Sequence, residues 1–559
     1  MYSFLVGARR CPLAAAVLAI VLAGACSGGS GGPVSAGGGP GGAGGASGAG
    51  GATGAGGATG AGGSAVPAGG SGGTPPGEGG SGGATSGGGA DAAAADARGS
   101  SSAWGGWGSA VDGGPTIAGN EVPGTVTVDR TMMVGKLGPA FAGFSYEKTH
   151  LTDGYFSGSN APLIALYKLL GPGLIRIGGN AVDRSSWDPA APPATTGIST
   201  KIGTADVDAL ADFVRATGWR ALYGVNLMSS TPATAADEAK YVASKLGESL
   251  YGFEIGNEIN YFGAYGAIKA KWESFAAAIK AAVPSAQLAG PAVDRNVPTW
   301  AVPFARDEAT RISLLTQHYY RGPGASGTMG QLMTVDPGLI TQLQQLAGAA
   351  TSNHLRDGYR LGETNSFVNH GTPGVSDTLG AALWSIDFMF WNAQHGSSGV
   401  NFHGGGPGQD PKHPEGFAYT PIDEAGGKVV SARPVFYGML LVSLLGTGNV
   451  YATAVKAGAV NIDAYAVGAA DGSTSVVLVN KDAMAVKAAV DVGGPAAAAS
   501  AIYLQGPGGL TAKTGLTLAG GTISPAGAWS PGSPYALPAA GNVVTVSVPP
   551  TSAVVVHVR

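Results

Sequence analysis

Eight short apolar runs separated by stretches of helical periodicity constrain this chain more than any other feature. The runs are Phe141 to Glu147, Leu174 to Asn180, Ala221 to Leu227, Leu250 to Glu258, Gln287 to Ala292, Ile312 to Tyr320, Tyr359 to Glu363 and Gly399 to His403. Between them apolar residues recur at helical spacing, as in Val207, Leu210, Ala211 and Val214 before Gly218, and in Ile268, Trp272, Phe275, Ile279 and Val283 before Pro284. Pro162 to Leu170 reads as a further helix, with proline in its first turn and Gly171-Pro172 as its stop. Regular alternation of this kind predicts an α/β fold with a parallel sheet, and eight repeats favour a (β/α)8 TIM barrel. A doubly wound sheet is the competing reading. It lacks support here, because no glycine-rich phosphate loop opens the first strand-helix unit and the chemically active residues are spread over many strand ends.

After a helix near Pro434 to Leu445 the pattern changes to short strands and turns: Ser475 to Asn480, Ala485 to Val492, Ala501 to Leu504, Val543 to Val548 and Ala553 to Val558. That spacing predicts a C-terminal antiparallel β-sandwich. Thr125 to Val128 alternates like a half-buried strand but has no place in the barrel, so it is expected to complete the sandwich and tie the two domains together.

Composition matters most before these domains. Residues 27–114 are mostly Gly, Ala and Ser, and Gly-Ala-Gly-Gly-Ala-Thr repeats from Gly48 to Thr59. Such a stretch cannot build a core and reads as a disordered tether. Ahead of it, Arg9 and Arg10 precede an apolar run from Pro12 to Leu22, too short to span a bilayer comfortably, which reads as a secretory signal. The run closes on Leu22-Ala23-Gly24-Ala25-Cys26, which resembles a bacterial lipoprotein signal with a lipid anchor on Cys26. The expected divisions are therefore a signal over 1–26, a tether over 27–114, a strand joining the sandwich over 115–135, a barrel over 136–445 and the sandwich over 446–559. The expected location is outside the cell membrane, as an envelope lipoprotein or an extracellular protein. The only cysteines are Cys11 and Cys26, so the globular part must be stable without disulfides. With 31 Lys and Arg against 35 Asp and Glu, and no basic cluster after the leader, nucleic acid is not an expected partner.

Two of the apolar runs end in a carboxylate. Leu250 to Asn260 contains Glu258 after Gly256-Asn257, and Tyr359-Arg360-Leu361-Gly362-Glu363 delivers Glu363. Strand alternation sets Glu254, Gly256 and Glu258 on one face, opposite Phe253 and Ile255. In a parallel barrel the active site lies at the carboxyl ends of the strands, so both glutamates arrive at one mouth. A pair of carboxylates there suits cleavage of a glycosidic bond, one as proton donor and one as nucleophile. His318 and Tyr320 share a face and are placed to brace a neighbouring carboxylate, and Arg176 is placed to hold Glu363 ionised. An Arg176–Glu254 salt bridge inside the barrel is an equal reading for that arginine. His395, His403 and His413 fit no zinc spacing, and no metal or cofactor is expected.

Taken together, Gly143-Phe144-Ser145-Tyr146-Glu147, Arg176-Ile177-Gly178-Gly179-Asn180, Gly256-Asn257-Glu258, His318-Tyr319-Tyr320, Leu361-Gly362-Glu363-Thr364 and Ser376-Asp377-Thr378 resemble glycoside hydrolase family 79, which contains β-glucuronidases and heparanase. The resemblance runs from about Thr125 to the carboxyl end and implies a retaining enzyme on a clan A type barrel. It implies Glu258 as acid/base, Glu363 as nucleophile, Asn257 as a sugar contact, and Tyr320 as partner of the nucleophile. It further implies contacts from Glu147 and Asn180 to the far hydroxyls, with Tyr419 facing the substrate's carboxylate. Asn180 read by itself could equally cap a turn. Where the heparanase branch has a glycine-rich loop after the nucleophile, this chain has Phe367-Val368-Asn369-His370-Gly371. The expected partner is an oligosaccharide, polysaccharide or glycoconjugate, and the expected function an exported β-glucuronidase. The alternatives are a β-glycosidase for a neutral sugar (xyloside, glucoside or arabinoside), and a carbohydrate-binding surface protein without activity.

Overall fold

The computed structural model describes residues 109–117, 119–193, 197–407 and 416–559. The expected signal, Cys26, most of the expected tether and His413 lie outside the described residues.

All eight apolar runs form strands, and they close a parallel barrel: Ala142–Glu147, Leu174–Gly178, Arg220–Val225, Leu250–Ile255, Leu288–Asp294, Leu314–Tyr320, Tyr359–Asn365 and Ser397–His403. Each strand pairs with its neighbours in sequence, and the last pairs with the first through Val400 to Ala142. The helices Ala161–Leu169, Thr204–Thr217 and Tyr265–Ala282 fall where the periodicity puts them. Burial on both sides explains why the strands read as continuous apolar runs rather than alternating ones. Arg360 plugs the end of the barrel away from the strands' carboxyl ends. Its guanidinium donates to Asn401 Oδ1 at 2.5 Å and to the carbonyls of Ala140, Phe141, Ser398 and Val400.

The C-terminal strands form one curled eleven-stranded sheet. Glu121–Leu137 joins it as a single strand of 17 residues, longer than the alternating stretch, because a bulge between Asp129 and Met133 lets it continue. It pairs antiparallel with Gly448–Lys456 and parallel with Ala485–Asp491, so one ladder in the sheet departs from the expected antiparallel pattern. The sheet wraps an apolar core that includes Val126, Val128, Ala466, Val476, Leu478, Val490, Val546 and Val556. Val111, within the expected tether, donates its N–H to Pro534 and accepts from Ala536, adding a short bridge beside Tyr535.

The helix Leu379–Gln394 is buried on every side, as expected of a helix that is apolar all round. Its one acid, Asp387, is bonded to Lys481 Nζ at 2.8 Å and to Tyr465 Oη at 3.0 Å, while Phe390 stacks on Tyr465 with centroids 4.3 Å apart. Lys481 also bonds Asp463. Burial pushes the Asp387 carboxyl up to about 7, with Lys481 acting against that rise.

Candidate active site

The carboxyl ends of the barrel strands bring the candidate residues together. Glu363 stands inside the strand Tyr359–Asn365 and is buried. Glu258 arrives differently from the sequence expectation: its strand stops at Ile255, and the chain then turns through Gly256 at φ +82° and Glu258 itself at φ +47°. A side chain at Gly256 would place its Cβ 2.5 Å from Ile259, so the turn requires glycine for space as well as for backbone angle. Glu258 N–H donates to Ala292 O at 2.7 Å on the next strand, and Asp183 accepts the N–H groups of Leu227, Met228 and Asn257. The left-handed conformation of a non-glycine residue is thus over-determined by its surroundings.

One Glu258 oxygen, one His318 ring nitrogen and one Glu363 oxygen all lie within 4.8 Å of one another. Beneath them Arg176 is fully buried and donates to four side chains: Glu254 Oε2 at 2.6 Å, Glu363 Oε2 at 2.9 Å, Asn257 Oδ1 at 2.9 Å and Ser145 Oγ at 3.1 Å. The guanidinium lies so close to Gly178 that a Cβ there would come within 2.4 Å of it. Both sequence readings of Arg176 hold at once, since it pairs with Glu254 inside the barrel and also supports Glu363. His318 and Tyr320 brace two carboxylates rather than one. His318 Nδ1 is 3.1 Å from Glu258 Oε1, and Tyr320 Oη donates to Glu363 Oε1 at 2.9 Å.

These surroundings split the acids electrostatically. Burial raises the Glu363 carboxyl, but His403, His318, Arg176 and the Tyr320 hydroxyl together outweigh it and hold the group well below the usual carboxylate range. Arg176, which keeps its charge, is the most secure of these causes. Glu147 goes the other way: burial and then the Glu363 charge push it up to about 7, although it accepts the N–H groups of Asn180 at 3.1 Å and Ala181 at 2.6 Å. His403 is lowered to about 4 by burial. The His318 imidazole is raised despite its burial, by the Glu363 and Glu258 carboxylates.

Tyr419 is buried with its ring 6.0 Å from that of Tyr320, at the wall of the same site. His370 stacks on Phe417 at 3.9 Å and lies 6.4 Å from the Tyr419 ring. Asn369, His370 and Gly371 are left-handed in succession, a tight turn beside the strand that carries Glu363. Asn180 is exposed, and its backbone N–H is the group seen to engage Glu147. Asp183, Glu254 and Ser145 are site residues that the sequence does not single out, and for His403 it offers only a spacing that fits no zinc site. His403 ends the last barrel strand, so the strand-end rule that found Glu363 finds it too. His395 instead bonds the Trp391 carbonyl at a helix end. The atoms of Glu258, His318 and Glu363 could serve a divalent cation, but the Arg176 charge 2.9 Å from Glu363 opposes one.

The fold matches solved structures over more than three quarters of the chain. A 4-O-α-L-rhamnosyl-β-D-glucuronidase from Fusarium oxysporum 12S superposes with a TM-score of 0.63 at 20% identity, covering 78% of this chain and 99% of that one. A family 51 arabinofuranosidase from Xanthomonas axonopodis pv. citri gives a TM-score of 0.57 at 18% identity over 78% and 100% of the two chains. The fold is that of the barrel glycoside hydrolases. CelM2, a bifunctional glucanase-xylanase from a metagenome library, shares it with a TM-score of 0.55 at 13% identity, covering 79% of this chain and 99% of that one. No protein-family model matches the chain. Among curated proteins, a β-glucuronidase of Aspergillus niger is 33% identical over 108 residues, 18% of this chain and 20% of that protein. A β-glucuronidase of Neurospora crassa is 51% identical over 45 residues, 8% of each. The chain thus matches a fifth or less of the length of these relatives.

Proposed function

We propose that this protein is a retaining glycoside hydrolase that cleaves β-glucuronides. The observation that carries the reading is that two strand-end carboxylates meet at one mouth, one oxygen of Glu258 approaching one of Glu363 to within 4.8 Å, an approach that suits the closer of the two known spacings. Retaining enzymes hold the pair at about 5–5.5 Å and inverting enzymes at about 6.5–9.5 Å, the extra space admitting a water. Glu363, ionised by its neighbours, attacks the anomeric carbon while Glu258 gives its proton to the leaving oxygen. The glycosyl-Glu363 ester is then hydrolysed by a water whose proton returns to Glu258. Arg176 and Tyr320 hold the nucleophile's two oxygens, so its attack geometry is set before substrate arrives. In this reading Asn257, Glu147 and Asn180 contact the sugar hydroxyls.

Glucuronate as the sugar rests on the two β-glucuronidase relatives and on the wall of Tyr419 and the turn after Phe367, which offers oriented donors to a carboxylate at carbon six. The family 79 resemblance belongs to this same reading. So does an exported enzyme on a Gly-rich tether, anchored at Cys26, which rests on the leader sequence. A neutral sugar is the second reading, favoured by the bulk of Asn369 and His370 in the turn. A panel of nitrophenyl glycosides tests both. Preference for the β-glucuronide is the expected result; equal turnover of glucoside or xyloside would remove the uronate, and no turnover of any glycoside would remove the enzyme.

A further inference from the structure

Among the described residues, most large apolar side chains left exposed are aliphatic; the aromatic ones are Tyr261 and Phe262, 60% and 48% exposed. Adjacent exposed aromatic rings on a rim are unusual enough to need a reason. They follow Glu258 directly, in the short helical turn Ile259–Tyr261. That turn is fixed at every residue. Ile259 is buried. Asn260 exchanges hydrogen bonds with the Asp294 backbone, donating at 3.2 Å and accepting at 3.2 Å. Tyr261 N–H donates to Glu258 O at 3.0 Å, and Tyr261 Oη donates to Asp294 Oδ2 at 2.6 Å. The Tyr261 ring is therefore held at its tip while its face stays open to solvent.

Resting on the glycosidase reading above, we propose that Tyr261 and Phe262 form a leaving-group subsite that stacks on a pyranose ring of the substrate. The general acid must lie within hydrogen-bond reach of the glycosidic oxygen, so whatever is attached beyond that oxygen lies on the Glu258 side of the mouth. A pyranose presents an apolar C–H face, which suits an aromatic ring, and a ring already held by Asp294 loses little freedom when the sugar docks. The Tyr261 hydroxyl is raised above its ordinary range by partial burial and by the Asp294 bond, with the Glu258 charge adding to the rise; its tip thus lies within electrostatic reach of the acid. The substrate class this implies is a glycan cleaved within or at the end of a saccharide chain, in preference to a glucuronide of a small alcohol.

The test compares the full-length enzyme with its Tyr261→Ala, Phe262→Ala and Tyr261→Phe variants on two substrates, methyl β-glucuronide and a β-glucuronide whose leaving group is a pyranose. Both leaving groups are poor and need the Glu258 proton alike, but only one has a ring to stack. Each alanine variant is expected to lower kcat/KM for the pyranose substrate by about three- to ten-fold and to leave the methyl glucuronide within about two-fold. Tyr261→Phe, which keeps the ring but frees its tip from Asp294, should lose less than Tyr261→Ala on the pyranose substrate and stay near wild type on the methyl glucuronide. Equal losses on the two substrates would overturn the subsite, because they would show that the pair only holds the Glu258 turn. No loss on either would overturn it as well. Failure of the unaltered enzyme to cleave either substrate would sink the β-glucuronidase reading on which the subsite rests, and the subsite with it.

Discussion

Replacing Tyr320 by phenylalanine isolates the electrostatics of the proposed nucleophile, Glu363. The tyrosine hydroxyl donates to Glu363 Oε1 at 2.9 Å, and the carboxylate it serves is buried. A hydrogen bond to a charged group in such a place contributes about 1.5–3 kcal/mol. At about 1.4 kcal/mol per pKa unit, its loss lifts the Glu363 carboxyl by about one to two units. The direction follows from the native state, in which Glu363 is held below the usual carboxylate range and reacts as the anion. In Tyr320→Phe the acidic limb of kcat/KM against pH, measured on the β-glucuronide, should therefore move upward by about one to two pH units. Arg176 still pairs with the other oxygen, which keeps the shift from growing larger. Stability should carry the same sign: a depressed carboxyl adds stability that is present above its unfolded pKa and lost as pH falls through its folded one, so acid unfolding of the variant should set in at higher pH. An acidic limb that stays in place while the variant remains folded would refute the role given to Tyr320.

Glu363→Ala should abolish turnover, whereas Glu258→Ala should be partly rescued by azide on glycosides with good leaving groups; equal residual rates without rescue would reverse or dissolve these roles. Tyr419→Phe should reduce the preference for glucuronide over glucoside by about 10- to 100-fold in kcat/KM, the cost of about 1.5–3 kcal/mol for one lost bond to a buried carboxylate. An unchanged ratio would remove Tyr419 from the recognition of the charge. Lys481→Met should destabilise the protein by about 3 kcal/mol in denaturant titrations, because it leaves Asp387 buried without its cation. That is the low end of the range for a broken buried pair, since Asp387, already up at about 7, can take a proton instead. A midpoint within experimental error of wild type would show that the latch between helix and sheet contributes nothing.

The barrel was legible because strands buried on both faces leave apolar runs that need no partner to be recognised. Glu363 was legible for the same reason, as a charge at the end of such a run. Glu258 was found, but not its geometry: the alternation was carried three residues past Ile255, where Gly256 and Glu258 turn left-handed. Asp183 left no signal, since its role is to accept backbone N–H groups from Leu227 and Asn257, 44 and 74 residues away. In the curled sheet, Gly448–Lys456 escaped notice because most of its residues are partly exposed and no apolar face stands out. Asp387 was unreadable for the opposite reason, a single acid in an otherwise apolar helix whose partners Tyr465 and Lys481 come from the C-terminal sheet and the turn after one of its strands.

In the proposed mechanism Glu363 attacks carbon and Glu258 serves as acid and then base, a double displacement. The configuration of the first sugar released decides it. Proton NMR of a β-glucuronide digest, recorded before mutarotation, should show the β-anomer forming first and the α-anomer growing in later. First formation of the α-anomer would mean single displacement by water, and would contradict the mechanism drawn from the Glu258 and Glu363 geometry.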